Sequence, residues 1–191
     1  IDESGQLPAA GIRLLLKVIK KLHCKVPITC SHLSSISLLK NKDIENLSKE
    51  IVENNIKVIA LPLTNFWLLN HDANITPLMR PVAPIKQLQN SFVDVSVGTD
   101  NVQDPWYPFG NFDPFYLMSL AIPMLQINPW DRLTMSALLT APSRLLNLSW
   151  DGIIKKGCPA DFVIANGKSW ADLISGNITK EVLIRGEIYK K

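Results

Sequence analysis

The stretch Phe92–Gly110, FVDVSVGTDNVQDPWYPFG, decides how the rest of the sequence is interpreted. Its first part alternates apolar and polar side chains, which is typical of a β-strand; the alternating residues are Val93, Asp94, Val95, Ser96 and Val97. Gly98 then ends the extended segment, so that Asp100 falls at the strand's C-terminal end, just before an aromatic, proline-rich loop. Because α/β folds place their chemistry where strands end, the stretch predicts a functional site at Asp100.

Strand-like and helical segments alternate on both sides of this stretch. Apolar residues at helical spacing predict amphipathic helices, and short apolar runs predict buried strands. The predicted helices are Leu7–Leu22, Asp43–Glu53, Pro84–Gln89, Pro114–Leu125, Trp130–Leu139 and Pro142–Leu146, and the predicted strands before Phe92 are Pro27–Cys30 and Ile56–Leu61, with Ile1–Glu3 as the end of a first strand. Such alternation implies a parallel sheet with right-handed crossover connections.

The order of these segments predicts two regions. Residues 1–147 contain four strand–helix units, which is half the number in a (β/α)8 barrel. Residues 148–191 are predicted to form part of a small β-rich domain, with short strands Ala160–Ile164, Glu181–Ile184 and Ile188–Tyr189. Glycines separate these strands, among them Gly176. The expected fold class is therefore α/β, with a partial barrel and a β-rich appendage.

Composition and charge exclude several classes of protein. The 191 residues are 47% hydrophobic and 19% charged, with a net charge of +3, and the lysines are scattered rather than gathered into a basic stripe, which argues against a nucleic-acid binder. No apolar run approaches the roughly 18 residues that a membrane span needs. Three cysteines without a C-x-x-C pair indicate reduced thiols, so we expect a cytoplasmic protein that contacts neither nucleic acid nor membrane.

The beginning of the chain predicts a partner segment. The sequence starts at Ile1 without methionine and enters an amphipathic helix within a few residues. A half barrel would leave two sheet edges open, which proteins normally avoid. Either the sheet is an open one, or a partner covers those edges, namely an N-terminal half or a second copy of this chain. The abrupt start of the sequence favours a partner.

Several polar side chains fall at predicted strand ends. Glu3, His32 and Asp100 each follow a strand, and Thr64–Asn65 ends another. Taken singly, Glu3 is explained as a carboxylate near a helix start and His32 as a loop histidine. Because parallel strands end on one face of the sheet, their recurrence at equivalent positions favours a site for proton transfer or metal ligation.

These motifs resemble the amidohydrolase superfamily, and within it the cytosine deaminase branch. The family pattern has H-x-D-E after the fifth barrel strand, S-H after the sixth, and G-x-D-[DN]-x-x-D-P-W-Y-P-x-G after the eighth. The matching segments here are Ile1-Asp2-Glu3, Ser31-His32 and Gly98–Gly110, and Ala160–Ile164 resembles the ADxV strand of the family's β-rich domain. The D-P-W-Y-P run is the specific part of this resemblance. The resemblance implies that residues 1–147 are the C-terminal half of a (β/α)8 barrel, strands five to eight with their following helices.

The resemblance implies a hydrolytic deaminase that releases ammonia from a cytosine-like amino-heterocycle, a small-molecule substrate. One divalent metal ion, iron or zinc, would lower the pKa of a bound water to near neutrality. By analogy, Asp100 would ligate the metal and take the proton of that water, Glu3 would shuttle a proton to the ring, and His32 would orient the nucleophile and stabilise developing charge. Asn101 and Trp106 would bind the substrate, the first at its polar edge and the second as a pocket wall.

The sequence departs from the family pattern in two places. The H-x-H pair of the first strand and the histidine that opens H-x-D-E are absent, and His23 and His71 lie elsewhere. Since three protein ligands are usual, we expect this chain to lack most metal ligands and to be inactive alone. Asn101 stands where cytosine deaminases commonly carry aspartate, and it also resembles the branch that removes alkylamines from triazines. Three alternatives therefore stay open: a triazine-type N-alkylamine amidohydrolase, a split enzyme whose other half is a separate polypeptide, and a non-catalytic half-barrel subunit or scaffold module.

Overall fold

The computed structural model describes residues 1–175 and 178–189; Gly176, Asn177, Lys190 and Lys191 lie outside the described residues. The helices are α1 (Ala10–Leu22), α2 (Asn41–Glu53), α3 (Pro62–Leu68), α4 (Ile85–Asn90), α5 (Pro114–Leu125), α6 (Arg132–Leu139), α7 (Ala141–Leu145) and α8 (Trp170–Ile174), with a 3-10 turn at Ser34–Leu38. The strands are β1 (Ile28–Ser31), β2 (Ile56–Ala60), β3 (Val95–Val97), β4 (Phe162–Ala165), β5 (Lys180–Ile184) and β6 (Glu187–Ile188).

The first sheet is parallel and carries the predicted strand ends. Its strand order is β1-β2-β3, with Cys30 beside Val58 and Val58 beside Val95. Each connection between neighbouring strands contains helices, as parallel crossovers require. The predicted strand–helix alternation and the parallel pairing are therefore confirmed for these strands.

The N-terminal residues run alongside β1. The Ile1 ammonium group donates to the Ser31 carbonyl oxygen at 3.0 Å, and the Leu33 N–H donates to the Ile1 carbonyl oxygen at 3.0 Å. This exchange of bonds with the two neighbours of one residue is the pattern of a parallel ladder. The contact is too short to count as a strand, but it places residues 1–3 next to the end of β1, as the sequence predicted.

One face of the parallel sheet forms the core together with the helices. The row formed by Cys30, Val58 and Val95 is buried, and each fully buried aliphatic side chain stabilises the fold by about 1.5–3 kcal/mol. Helices α1 and α2 contribute apolar residues at helical spacing, namely Ile12, Leu16, Ile19, Ile44, Leu47 and Ile51. The predicted amphipathic helices thus pack into this core through their apolar faces.

The residues directly before Val58 and Val95 are charged, and they are bonded to α7. Lys57 Nζ donates to the carbonyl oxygen of Arg144 at 2.7 Å, and the Arg144 guanidinium donates to Asp94 Oδ1 at 2.8 Å. These contacts attach a helix from far along the chain to β2 and to the residue before β3. They fix the end of the sheet that lies opposite the strand ends of interest.

The second sheet is antiparallel and more exposed. Its order is β4-β5-β6, and most of its side chains are accessible. Lys180 of β5 forms an ion pair with Asp113, which also caps the N-terminus of α5. The predicted strands after residue 148 are thus present, whereas the boundary between two domains stays a prediction.

Helix α3 is the main element that the sequence analysis missed. The sequence analysis placed Thr64–Asn65 at the end of a strand, but Pro62–Leu68 is a helix of seven residues with proline at its first turn. Because proline is common in the first turn of helices, the sequence contained a signal for the start of this helix. Across residues 1–175 and 178–189, none of the helices combines the length and the apolar character needed to cross a membrane.

Candidate active site

The end of β1 holds its histidine in an uncommon backbone conformation. His32 and Leu33 have φ angles of 73° and 52°, in the left-handed region that residues other than glycine rarely occupy. Such a residue costs on the order of 1–3 kcal/mol, so its surroundings must hold it. The His32 N–H does so by donating to the Ile59 carbonyl oxygen of β2 at 2.9 Å.

Glu3 and His32 meet at this strand end, as predicted. Glu3 Oε2 lies 3.3 Å from His32 Nδ1, with 45% of the Glu3 side chain and 15% of the His32 side chain exposed. The backbone before Glu3 is fixed because the Asp2 carboxylate accepts hydrogen bonds from the N–H groups of Gly11 and Ile12, each at 2.7 Å. Asp2 therefore caps helix α1 and sets the direction in which Glu3 leaves the sheet.

A third residue, Asn65, lies beside this pair, and the sequence analysis did not predict its contact with His32. It lies in the first turns of α3, just beyond the end of β2, and only 1% of its surface is exposed. Its Nδ2 lies 3.1 Å from His32 Nδ1. The sequence analysis placed Asn65 at a strand end, but only the helical turn of α3 directs its side chain towards β1.

Asp100 lies at the end of β3, where the surroundings of its side chain differ from those of His32. Its φ angle is 60°, again in the left-handed region. Its Oδ2 atom is buried, and none of the described residues forms a hydrogen bond with it. A buried carboxylate oxygen without a donor is costly, on the order of 1–3 kcal/mol or more for a charged group. This oxygen therefore fits a role as a ligand or proton acceptor for a group from outside the described residues.

The described residues nevertheless do not fit a complete metal site. In residues 1–175 and 178–189, no group of three or more His, Cys, Asp and Glu side chains is arranged to hold a metal ion. Asp100 supplies one suitable oxygen, whereas three protein ligands are the norm. The expectation that most of the ligands lie outside this chain stays a prediction.

The loop after Asp100 is organised by Asp104. Its carboxylate accepts hydrogen bonds from the Asn101 side-chain amide and from the backbone N–H groups of Trp106 and Tyr107. The hydrogen bond from Asn101, and after it the one from the Tyr107 N–H, lowers the pKa of Asp104 below its usual value. Gly110 closes the loop at a φ of 84°, where an added Cβ would lie 3.1 Å from the Tyr107 ring.

Among the described residues, neither of the two predicted substrate-binding residues forms a hydrogen bond with Glu3 or His32. In the described part of the chain, the Asn101 amide is committed to Asp104, and Trp106 is 63% exposed with no ring partner. Tyr107 is buried instead, and burial together with hydrogen bonding to Tyr116 raises its pKa to about 12. Tyr107 is therefore a neutral phenol near pH 7, and the roles of Asn101 and Trp106 stay predictions.

A different aromatic pair joins helix α3, which follows β2, to the loop that follows β3. The Trp67 and Phe109 rings meet edge to face, with their centroids 5.0 Å apart. Trp67 also packs on His71 at 5.2 Å, next to a cleft of about 400 Å³ that Arg80 helps to line. The sequence analysis did not propose these residues, because nothing in the pattern linked residues 67 and 109.

Comparison with known proteins places the chain in a family. The model of the amidohydrolase family matches residues 9–185, a range that includes His32 and Asp100. A pterin deaminase from Rhizobium rhizogenes is 24% identical over 186 residues, which are 97% of this chain and 42% of that protein. The uncharacterized protein YahJ from Escherichia coli is 25% identical over 80% of this chain and 30% of its own length. The chain thus spans less than half the length of these relatives.

Solved structures agree with the fold. The 5-methylcytosine deaminase from Klebsiella pneumoniae, liganded with 5-fluorocytosine, superposes with a TM-score of 0.80 at 19% identity over all of this chain and 46% of that chain. The N-isopropylammelide isopropylaminohydrolase from Burkholderia multivorans superposes with a TM-score of 0.75 at 20% identity, over 97% of this chain and 44% of that one. With a family model that covers nearly all of the sequence, the chain belongs to the amidohydrolase family.

Proposed function

We propose that this chain is the C-terminal part of a metal-dependent hydrolytic deaminase that acts on a cytosine-like amino-heterocycle and releases ammonia. The observation that carries the proposal is the pair formed by Glu3 and His32, 3.3 Å apart at one strand end, on the same sheet as the buried Oδ2 of Asp100. Membership of the amidohydrolase family supports a hydrolase acting on carbon–nitrogen bonds. Deaminases among the similar proteins support the loss of ammonia.

The residues of this chain suit separate roles in such a reaction. Glu3 is nearly half exposed, so its carboxyl group can exchange a proton with a bound ring nitrogen. His32 is largely enclosed and fixed by its backbone, so it can orient a substrate or a nucleophile. Asp100 keeps one buried oxygen available to accept a proton or a cation.

We derive no step through a metal ion, because the described residues supply only one of the expected ligands. In the proposed complete enzyme, the remaining ligands come from another segment, and this chain alone does not bind the metal stoichiometrically. An exposed apolar stripe on α1 supports a covering segment, since Leu14, Val18 and Leu22 lie on one helical face and are all accessible. We therefore also propose that the parallel strands are half of a closed barrel, with the second sheet belonging to a β-rich domain and the cytoplasm as the predicted location.

The substrate ring is the least constrained part of the proposal. The similar deaminases act on 5-methylcytosine and on pterin, so both rings are candidates beside cytosine. A triazine bearing an alkylamine is the second candidate, supported by Asn101 and by the likeness to the isopropylaminohydrolase. An amide at this position can donate and accept a hydrogen bond, whereas a carboxylate only accepts.

The proposal is tested first by metal analysis and then by turnover. We expect the 191-residue chain to contain far less than one equivalent of iron or zinc after purification with either metal. Stoichiometric metal in this chain would overturn the claim that ligands are missing. The complete enzyme, with its upstream segment, is then assayed for ammonia release from cytosine, 5-methylcytosine, pterin and N-isopropylammelide, and for isopropylamine release from the last. Failure to act on any of them would favour the non-catalytic alternative.

A further inference from the structure

We infer that the cleft of about 400 Å³ beside Trp67 binds an aromatic carboxylate, with Arg80 holding the carboxylate group and aromatic side chains holding the ring. The lining of this Arg80 cleft includes Phe66, Trp67, His71, Asp72, Thr76 and Arg80. Small-molecule sites of this volume combine apolar and aromatic walls with a few polar groups. The Arg80 cleft therefore has the size and the composition of a ligand site.

Arg80 is a held cation to which the described residues offer no anion. Its guanidinium carbon lies 4.7 Å from the centroid of the Phe66 ring, a cation–π contact that holds the planar group against helix α3. Among the described residues, no carboxylate forms an ion pair with Arg80, whereas Arg144 is paired with Asp94. A guanidinium presents a fork of donors that matches the two oxygens of a carboxylate. Arg80 can therefore bind an oxyanion with little further ordering.

The charges around the cleft favour a carboxylate over a phosphate. Among the described residues that line it, Arg80 is the one permanent cation, and Asp72 adds a negative charge. The Asp72 carboxylate accepts a hydrogen bond from the Asn74 N–H at 2.8 Å, so it is engaged within its own loop. A phosphate monoester carries a charge of about −1.5 to −2 at pH 7, which one guanidinium beside a carboxylate does not balance. A singly charged carboxylate matches this set of groups.

The aromatic side chains supply a wall for the ring that carries the carboxylate. The Trp67 ring packs on His71 at 5.2 Å and meets Phe109 edge to face at 5.0 Å, so it is held from two sides. Trp67 is nevertheless 36% exposed, and it lines the cleft. A flat ring that packs on Trp67 buries apolar surface and gains an aromatic contact. The ligand is therefore expected to be an aromatic carboxylate rather than a small aliphatic one.

The loop that carries Arg80 is closed at its two ends. Asn70 Nδ2 donates to the carbonyl oxygen of Met79, the residue before Arg80, at 2.7 Å. The His71 N–H donates to the Leu68 carbonyl oxygen at the end of α3 at 3.2 Å. The cation and the aromatic wall thus rest on the same helix end, and this preorganisation lowers the cost of binding.

The cleft is connected to both strand ends of the proposed active site. Asn65, in the same helix as Trp67, lies 3.1 Å from His32. Phe109, which meets Trp67, belongs to the loop that follows Asp100. The carboxylate is therefore either a substituent of the heterocycle that is deaminated or part of a separate ligand that binds beside it. The first source rests on the proposed function, but binding to the cleft does not.

Binding is measured in the 191-residue chain, without turnover. The probes are benzoate, which has a ring and a carboxylate, and benzamide, which has the same shape without the charge. Their affinities are read from the ¹⁵N–¹H signal of the Trp67 indole, which a Trp67→Phe variant assigns. We expect benzoate to bind at least about ten-fold more tightly than benzamide. Equal affinities, or a Trp67 signal that benzoate leaves unmoved, would overturn the inference.

Two substitutions and one control locate the carboxylate. Arg80→Gln removes the charge, so benzoate affinity is expected to fall by at least about ten-fold while benzamide affinity stays the same. Arg80→Lys keeps the charge without the fork of donors and should retain part of the affinity. Arg13→Gln is the matched control, since Arg13 is an exposed arginine on α1, outside the lining of the cleft. Unchanged benzoate affinity in a folded Arg80→Gln variant would contradict the inference.

Turnover by the complete enzyme distinguishes the two sources of the carboxylate. For each ring that the enzyme deaminates, the carboxylate and methyl derivatives are compared as substrates. If the carboxylate belongs to the substrate, its kcat/KM exceeds that of the methyl derivative by at least about ten-fold, and Arg80→Gln removes this preference. If it belongs to a separate ligand, the preference is absent and benzoate binds equally well in the presence of substrate. A complete enzyme that deaminates none of the rings would refute the proposed function, while the benzoate titration still decides this inference.

Discussion

The ends of β1 and β3 carry the two principal candidate residues, and their surroundings differ sharply. His32 at the end of β1 has two side-chain partners, Glu3 and Asn65, and its backbone is bonded to the neighbouring strand. Asp100 at the end of β3 has a buried oxygen that none of the described residues satisfies. Both have a left-handed backbone, so both are held in place. His32 thus has side-chain partners within this chain, whereas Asp100 Oδ2 has none among the described residues.

This difference separates what each position contributes. A partnered histidine is preorganised before any ligand arrives, and it contributes through orientation. A buried carboxylate oxygen without a donor is destabilising until a group binds it, and it contributes through affinity for that group. Substitutions at the two strand ends should therefore have different effects on activity and on stability.

The largest expected effect is on activity at Asp100. Asp100→Asn in the complete enzyme removes the negative charge without changing the shape, and we expect turnover to fall by at least about 10³-fold. The same substitution should not destabilise the 191-residue chain, because the lost charge has no partner among the described residues. Ammonia release and urea unfolding measure the two effects.

Asp151→Asn is the matched control for this experiment. Asp151 is a surface carboxylate paired with Lys155, so its loss should leave turnover unchanged. Wild-type turnover in Asp100→Asn would refute the assignment of Asp100 as a catalytic residue and metal ligand.

A smaller loss of activity is expected at Glu3. Glu3→Gln preserves the size of the side chain but removes its ability to transfer a proton, so kcat should fall by about 10²-fold. Because Glu3 is nearly half exposed, the free energy of unfolding should change by no more than about 1 kcal/mol. A kcat equal to that of the wild type would show that the proton follows another route.

A substitution at Asp2 tests how the backbone beside the end of β1 is held. Its carboxylate caps α1 through the N–H groups of Gly11 and Ile12, so Asp2→Ala should destabilise the chain by about 1–2 kcal/mol in urea unfolding. Asp2→Asn retains part of the cap and should lose less. Equal stability of Asp2→Ala and the wild type would mean that another group caps the helix.

The smallest expected effect is the change in stability at acidic pH that depends on Asp113. Burial raises the pKa of Asp113, but its hydrogen bonds with Lys180 and the Phe115 N–H lower it more, so the pKa lies below its usual value. A depressed pKa in the folded state contributes stability that is present above about pH 4 and is lost as the pH falls through the folded pKa. We expect Asp113→Asn to reduce stability at pH 7 by less than about 1 kcal/mol and to have little effect at pH 2.

Comparing the loss of stability at pH 7 with that at pH 2 distinguishes a charged interaction from a packing defect. Unfolding of both proteins is followed in urea at pH 7 and pH 2. An equal loss at both values would indicate a packing defect rather than loss of a charged interaction.

Sequence patterns predicted the parts of the fold that depend on local periodicity. Helix Pro114–Leu125 was predicted with its observed bounds, and the parallel strands followed from apolar runs between helices. The proximity of Glu3 and His32 was also predictable, because parallel strands place their ends on one face. These features need only the chain order and one rule of sheet geometry.

Contacts of individual side chains could not be predicted in the same way. Asn65 reaches His32 only because Pro62–Leu68 forms a helix, and a one-residue change in its start would turn the amide away. The exposure of Trp106 likewise follows from the way Asp104 binds the loop backbone, a contact that no spacing rule contains. Rotation of single side chains thus limits what the sequence reveals about the site.

The contact between Trp67 and Phe109 has a consequence for how such proteins can diversify. Trp67 belongs to helix α3 and Phe109 to the loop after β3, far apart in the sequence, yet each ring is part of the surface against which the other packs. A substitution in one segment therefore changes the background in which substitutions in the other are selected. Exchange of one segment alone between homologues should be poorly tolerated, whereas exchange of both segments together should preserve their fit.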